Sequence, residues 1–269
     1  MDNKNKVVLV TGCSSGIGRD MCAILSKRGF IVAASARNIK QLKDVSATMK
    51  MEINVTDEIS IRNSVDQIVR EYGKIDVLIN NAGYSTRGAV EEVDINNIGK
   101  MFDVNVFGII RMVQAVAPYM RQAKVGKIIN IGSISGRFAQ ILNGGYSASK
   151  HAVEAINDAL RMELKGFGIQ STVIEAGPMQ TNFFDTLAKN LNGLMENHES
   201  PYRRFYINDK NYREGQKRMD SVKAAESICE IIQKENLKPR YKVAVPLMFQ
   251  ALLILPDKAK EFSLLRRLH

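Results

Sequence analysis

Val7-Val8-Leu9-Val10 is a short, β-branched, wholly apolar run that leads without a break into Thr11-Gly12-Cys13-Ser14-Ser15-Gly16-Ile17-Gly18. A run of that length and composition reads as a buried strand. Beyond the turn, Met21, Ala23, Ile24 and Leu25 recur with a helical period up to a stop at Gly29. Strand, glycine turn and helix in this order constrain the chain to begin a parallel α/β unit. Glycines there let the backbone approach a bound group closely, and the first turn of the helix offers its free amides to an anion. This is the opening unit of a dinucleotide-binding fold. A glycine-rich turn by itself is weak evidence; its place between a buried strand and an amphipathic helix gives it weight.

The same alternation continues along the chain. Apolar strands are expected at 7–11, 30–34, 51–54, 75–80, 127–132, 171–175 and 241–245, with helical patterns between them. That order argues for a doubly wound parallel sheet of about seven strands with helices on both faces. At 269 residues and 45% apolar content, the chain reads as one domain spanning 1–269. No internal repeat or low-complexity tract interrupts it.

Tyr146 and Lys150 lie four residues apart, and Ser133 lies thirteen residues before the tyrosine. On a helix that spacing puts phenol and ammonium on one face. A phenol in water has a pKa of about 10, and a fixed ammonium nearby would lower it toward the range where proton exchange with an oxygen is useful. The plain alternative is an exposed Tyr and Lys on an ordinary helix. Ser133 follows the expected strand Lys127–Ile131, at the sheet edge where ligands of open parallel sheets bind. A helix cap is the alternative for Ser133, and a local turn for Asn105. Asn80-Asn81-Ala82-Gly83 follows another apolar strand, and Asn suits such turns because it bonds to nearby backbone.

Taken together, the Thr-Gly-x-x-x-Gly-x-Gly turn, Asn80-Asn81-Ala82-Gly83, Asn105, Ser133 and Tyr146-x-x-x-Lys150 resemble the short-chain dehydrogenase/reductase family, with similarity to its carbonyl reductase and hydroxysteroid dehydrogenase-like members. The resemblance covers roughly residues 6 to 182. It implies hydride transfer between NAD or NADP and a ketone or secondary alcohol. Tyr146 would be the general acid or base, Lys150 would lower the phenol's pKa and bond the nicotinamide ribose, and Ser133 would bond the substrate oxygen. Asn105 would sit mid-helix and anchor a water path to Lys150. The implied cofactor contacts are Gly12, Ser14, Ser15, Gly16, Ile17, Gly18, Asn54, Val55, Asn81, Ala82, Gly83, Tyr146, Lys150, Gly177, Pro178 and Thr181, with Asn80 structural. Two positions depart from the family pattern: Asn54 stands where an Asp is common, and Ala176-Gly177 replaces Pro-Gly, which puts the stiffness of that loop in doubt.

The choice of cofactor follows from charge. An NAD site usually carries a carboxylate at the end of the second strand. Here Phe30–Ala34 is followed by Ser35-Ala36-Arg37-Asn38, without an acid. A guanidinium can fork onto a 2′-phosphate, so NADP preference is expected, with Ser35 and Arg37 reading that phosphate.

The remaining features are less specific. Cys13, Cys22 and Cys229 form no metal-ligand or CxxC pattern, no metal is expected, and scattered thiols suit a reducing cytoplasm. The polar start Met1–Lys6 leads straight into a strand, so no signal peptide is expected. The net charge of +10 and pI near 9.5 accompany no nucleic-acid motif, so a nucleic-acid partner is not expected. The basic run 202–218, with Asp209 and Glu214 interspersed, reads by default as a solvated helix face. The segment 182–220 holds Phe183, Phe184, Tyr202, Phe205, Tyr206 and Tyr212. It is expected to form an aromatic lid over a large apolar substrate of steroid, retinoid or lipid type, although these rings equally suit the lid's own packing. The apolar and basic tail 243–269, with Lys258, Lys260, Arg266 and Arg267, is expected to pack on the core or a neighbouring subunit, with peripheral membrane attachment as the alternative. Ala148, Ala152, Ala155 and Ala159 form a small-residue face suited to a homodimer or tetramer. Two other functions compete with catalysis: a non-catalytic nucleotide-binding sensor and a membrane-surface interaction protein.

Overall fold

The computed structural model describes residues 3–181, 183 and 193–266. Seven strands form one sheet: β1 (Val7–Val10), β2 (Ile31–Ala36), β3 (Met49–Glu52), β4 (Val77–Asn80), β5 (Gly126–Ile131), β6 (Ile169–Ala176) and β7 (Arg240–Val243). All pairings are parallel, in the order β3-β2-β1-β4-β5-β6-β7. The strand order reverses between β1 and β4, the switch point where such sheets open a crevice at their C-terminal edge.

Side chains alternate across a strand, so β1 feeds two cores at once. Val8 and Val10 pack with Met21, Cys22 and Leu25 of α1 (Gly16–Lys27) and with Ala225, Ile228 and Cys229 of α7 (Ser221–Gln233). Val7 and Leu9 pack on the opposite face. Their partners there are Ile61, Val65 and Ile68 of α2 (Glu58–Tyr72), Met112 and Val116 of α4 (Gly108–Ala123), and Val153 of α5 (Gly144–Leu164). The buried positions 18, 21, 22 and 25 of α1 repeat at the spacing of one helix face. Asp57 and Asp220 cap α2 and α7 by accepting two backbone N–H groups each.

α3 (Ile95–Phe102) passes through a π-helical turn at Asp103–Phe107 into α4. The combined run Ile95–Ala123 is apolar and long enough to cross a bilayer, but half of its apolar window is buried in the protein, against the sheet. Beyond β6, α6 (Arg203–Glu214) lies over the C-terminal edge of the sheet. Residues 182 and 184–192 of the expected lid, and with them Phe184, fall outside the described residues, as does Arg267.

Two strand boundaries matter for the site. β2 runs to Ala36, two residues further than expected, so Ser35 is inside the sheet and pairs with Met51. β3 lies at 49–52 rather than 51–54; it is an edge strand of alternating exposure, so its polar residues hid its start, and Asn54 falls in the following turn. After β7, α8 (Leu247–Leu252) buries Phe249 and Leu252 against Ile134 and Phe138, with the two Phe ring centroids 5.8 Å apart. Each such burial stabilises by roughly 1.5–3 kcal/mol. α9 (Asp257–Leu265) continues the tail, with Leu264 packed on the same cluster.

Candidate active site

A cavity of about 550 Å³ opens at the C-terminal edge of the sheet, over the switch point. Its floor is the turn after β1. Gly12 adopts φ +71°, and a Cβ there would lie 2.8 Å from the Ala82 Cα. A Cβ on Gly18 would meet the Gly12 carbonyl oxygen at 2.4 Å. Both positions therefore need glycine for the turn to close against its neighbours. Asn81 braces this turn: its Nδ2 donates to the Thr11 and Gly12 carbonyls, each at 2.9 Å, while Thr11 Oγ1 accepts from the Asn81 and Ala82 amides at 3.0 Å. Asn80 is structural, as expected, donating to Asn130 Oδ1 at 2.9 Å inside the core.

Whether these residues fit a dinucleotide is answered by the start of α1. Ser15 makes no side-chain cap, no acid occupies the first turn, and Ser14, Ser15, Gly16, Ile17 and Gly18 all line the cavity. The free amides of that turn thus face an open space suited to a pyrophosphate. Val55, Asn81, Ala82, Gly83, Gly177, Pro178 and Thr181 line the same space, and Arg37 stands exposed at its end. The loop after β6 is firmly tied despite its Ala176. Gly177 N–H donates to the Val243 carbonyl at 2.8 Å, and Pro178 and Gln180 exchange backbone bonds with Met219 at 3.1 and 2.9 Å.

Two expected contacts are corrected. The Ser35 hydroxyl is fully buried and donates to the Val10 carbonyl at 3.0 Å, because β2 extends past it. Asn54 accepts from the Thr56 N–H and hydroxyl at 3.2 and 3.0 Å, so it closes its own turn rather than lining the cavity. Asn105 lies in the π-helical turn, accepts from the Tyr84 N–H at 3.0 Å, and donates to the Tyr84 carbonyl at 2.9 Å and to Ser149 Oγ at 3.3 Å. It sits within the continuous helical run Ile95–Ala123 and joins the loop after β4 to α5 through Ser149.

Tyr146 and Lys150 do share a face of α5, and both line the cavity with Ser133. Lys150 Nζ donates to the Ile131 carbonyl at 2.8 Å and stands 5.8 Å from the centre of the Tyr146 ring. Ser133 is fixed by accepting from the Ser135 N–H at 3.1 Å and donating to the Ala176 carbonyl at 3.3 Å. The expected lowering of the phenol's pKa by Lys150 is not found. Burial pushes Tyr146 up to about 12, opposed by the neighbouring Ser133 hydroxyl and by the charge of Arg87. Burial also brings Lys150 down to about 8, while the Glu154 carboxylate one turn further along α5 supports its charge. Titrating below the phenol, Lys150 is already neutral at the pH where the phenol ionises, whereas near neutral pH its charge favours the phenolate. At neutral pH the pair is a charged lysine beside a protonated phenol.

The roof differs from the expected aromatic lid. Phe183 faces Tyr146 with ring centroids 6.0 Å apart, and Tyr212 and Phe249 also line the cavity. Tyr206 is fully buried, donates to Glu92 at 2.5 Å and packs in one cluster with Tyr202, Phe205 and Phe183, so these rings hold α6 in place behind the roof. Asp209 and Arg213 are not on a solvated face: both are buried, both line the cavity, and both pair with each other beside Arg87. Sequence reading missed Arg87, Asp209, Arg213 and Phe249. An Asp and Arg four apart look the same on a buried helix face as on an exposed one, and Arg87 sits in no motif.

Comparison with known proteins agrees with this geometry. Residues 6–192 match the family model for short chain dehydrogenases. The chain is 35% identical to a 3-ketodihydrosphingosine reductase of Bacteroides thetaiotaomicron, over 96% of either chain. It is 38% identical to an NADPH-dependent 1-acyldihydroxyacetone phosphate reductase of Schizosaccharomyces pombe, over 65% of this chain and 60% of that one. Among solved structures, a short-chain dehydrogenase from Streptomyces avermitilis aligns with a TM-score of 0.81 at 28% identity, covering 99% of this chain and 98% of the other.

Proposed function

This chain belongs to the short-chain dehydrogenase family of oxidoreductases, and on that premise we propose that it reduces a lipid-like ketone to a secondary alcohol with NADPH. The observation that carries this reading is the meeting of Tyr146, Lys150 and Ser133 on the wall of one cavity at the C-terminal edge of the sheet. Desolvation at the cavity wall pushes the Tyr146 phenol up to about 12, so at neutral pH it keeps its proton, the form that carbonyl reduction needs.

Bound in the cavity, the cofactor supplies the hydride. Tyr146 donates its proton to the carbonyl oxygen, and Ser133 bonds that oxygen as negative charge develops on it. Lys150, anchored by the Ile131 carbonyl, holds a positive charge beside the ring and stabilises the phenolate left behind. Arg37, at the end of a second strand that carries no acid, pairs with a 2′-phosphate; this supports NADPH over NADH. The lipid assignment draws support from Phe183, Tyr212 and Phe249 on the cavity wall and from two relatives named for keto or acyl lipids.

The rest of the reading is a single domain over 1–269 acting in the cytoplasm as a homo-oligomer. Exposed Ala148 and Ala155 on α5 support close packing of two copies. A second reading, contact of the tail with an anionic membrane, is favoured by Leu247 and Ile254, which are 82% and 86% exposed, and by Lys258 and Lys260 beside them. Cosedimentation with anionic vesicles at low salt supports it, and its absence removes it. The main proposal is tested by absorbance at 340 nm with NADPH and a panel of long-chain ketones. Turnover of these, with poor use of small polar sugars, is the expected result; turnover of sugars alone overturns the lipid assignment.

A further inference from the structure

The roof of the cavity holds more positive charge than its reaction requires. Arg87 Nη2 meets Asp209 Oδ1 at 2.9 Å, and Arg213 Nε meets Asp209 Oδ2 at 2.8 Å. The side chains are only 9%, 4% and 8% exposed, respectively for Arg87, Asp209 and Arg213. Among the described residues, two guanidinium groups thus share one carboxylate, leaving one buried positive charge in excess. The carboxylate acting on Arg87 is Asp209, while Arg213 opposes it, and the Arg87 Nε is buried with no hydrogen-bond partner among the described residues. Burying an unneutralised charge and an unpaired donor is expensive. All three side chains line the cavity that holds Tyr146, and the Arg87 charge acts directly on that phenol.

We propose that Arg87, Asp209 and Arg213 form an anion subsite that receives an oxyanion, carboxylate or phosphate monoester, carried by the substrate near its ketone. Guanidinium forks match the two oxygens of such a group, and Asp209 holds both forks in place without cancelling them. The subsite narrows the proposed ketone to an acidic one, and it rests on the reductase reading above. A cationic amino group beside the ketone would be repelled by the excess charge. Neutral ketones fill the apolar part of the cavity and leave the excess positive charge uncompensated.

The experiment separates the subsite from the chemistry. Dodecanoate, dodecyl phosphate and dodecanol are titrated into the full-length protein with NADPH present, by calorimetry and without turnover. At least one anion should bind about tenfold or more tightly than dodecanol, and the better of the two identifies carboxylate or phosphate as the preferred group. Arg213→Gln should remove the difference, whereas Asp209→Asn should strengthen anion binding by raising the excess charge. A purely structural role for the cluster predicts weaker binding in both variants. Equal binding of all three amphiphiles by the unaltered protein overturns the proposal even if a variant fails to fold. A protein that binds the anions but reduces no ketone keeps the subsite and loses the reductase reading.

Discussion

Glu154→Gln isolates the charge that keeps Lys150 protonated. Lys150 titrates at about 8 because burial lowers it and the Glu154 carboxylate raises it. An ammonium with that value is about nine-tenths protonated at pH 7 and about half protonated at pH 8, so kcat/KM for reduction should be flat below neutrality and fall above about 8. The sign follows directly. Removing the negative charge lowers the lysine's pKa further, so the alkaline fall begins at lower pH. For each unit of displacement, kcat/KM at pH 9 drops about tenfold while at pH 6 it changes by less than about a fifth. Glutamine retains an oxygen acceptor for Arg240, which now donates to Glu154 Oε2 at 2.6 Å, so the local fold is conserved. The assay is NADPH oxidation from pH 5.5 to 10 for both proteins. An alkaline limb that stays in place, with activity scaled equally at every pH, would refute the electrostatic role of Glu154.

Two further predictions concern the cofactor. Arg37→Ala should cut kcat/KM for NADPH by about 10- to 100-fold, the equivalent of a charge-assisted hydrogen bond of roughly 1.5–3 kcal/mol, and change NADH less than about twofold; equal losses with both cofactors would dismiss Arg37 as the phosphate reader. Gly18→Ala places a Cβ 2.4 Å from the Gly12 carbonyl oxygen, so thermal unfolding should show a loss of roughly 1–3 kcal/mol, and fluorescence titration should show weaker NADPH binding. Unchanged melting and unchanged affinity would mean that the turn relaxes at no cost.

What could be read from the chain divides along physical lines. The strands of the sheet interior were legible because both faces are buried, which gives continuous apolar runs such as Val7–Val10 and Val77–Ile79. Met49–Glu52 was displaced by two residues because an edge strand carries polar side chains that imitate a loop. Tyr146, Lys150 and Ser133 were found because their spacing is local and fixed by one helix and one strand end. Ser35 was misplaced because the length of β2 depends on its pairing with β3, which no local pattern records. The sign of the Tyr146 shift was misjudged for a related reason: sequence spacing reveals the nearby ammonium but not the desolvation that pushes the phenol up. The anion cluster is the extreme case, since Arg87 and Asp209 are 122 residues apart and meet only when α6 folds over the sheet edge.

Tyr146→Phe is the most direct trial of the acid role assigned to the phenol. The variant should bind NADPH with an affinity within about twofold of the parent, and reduction of the ketone should fall by at least 10²- to 10⁴-fold, the usual contribution of a placed proton donor. Retention of the parental rate with NADPH bound would contradict the account.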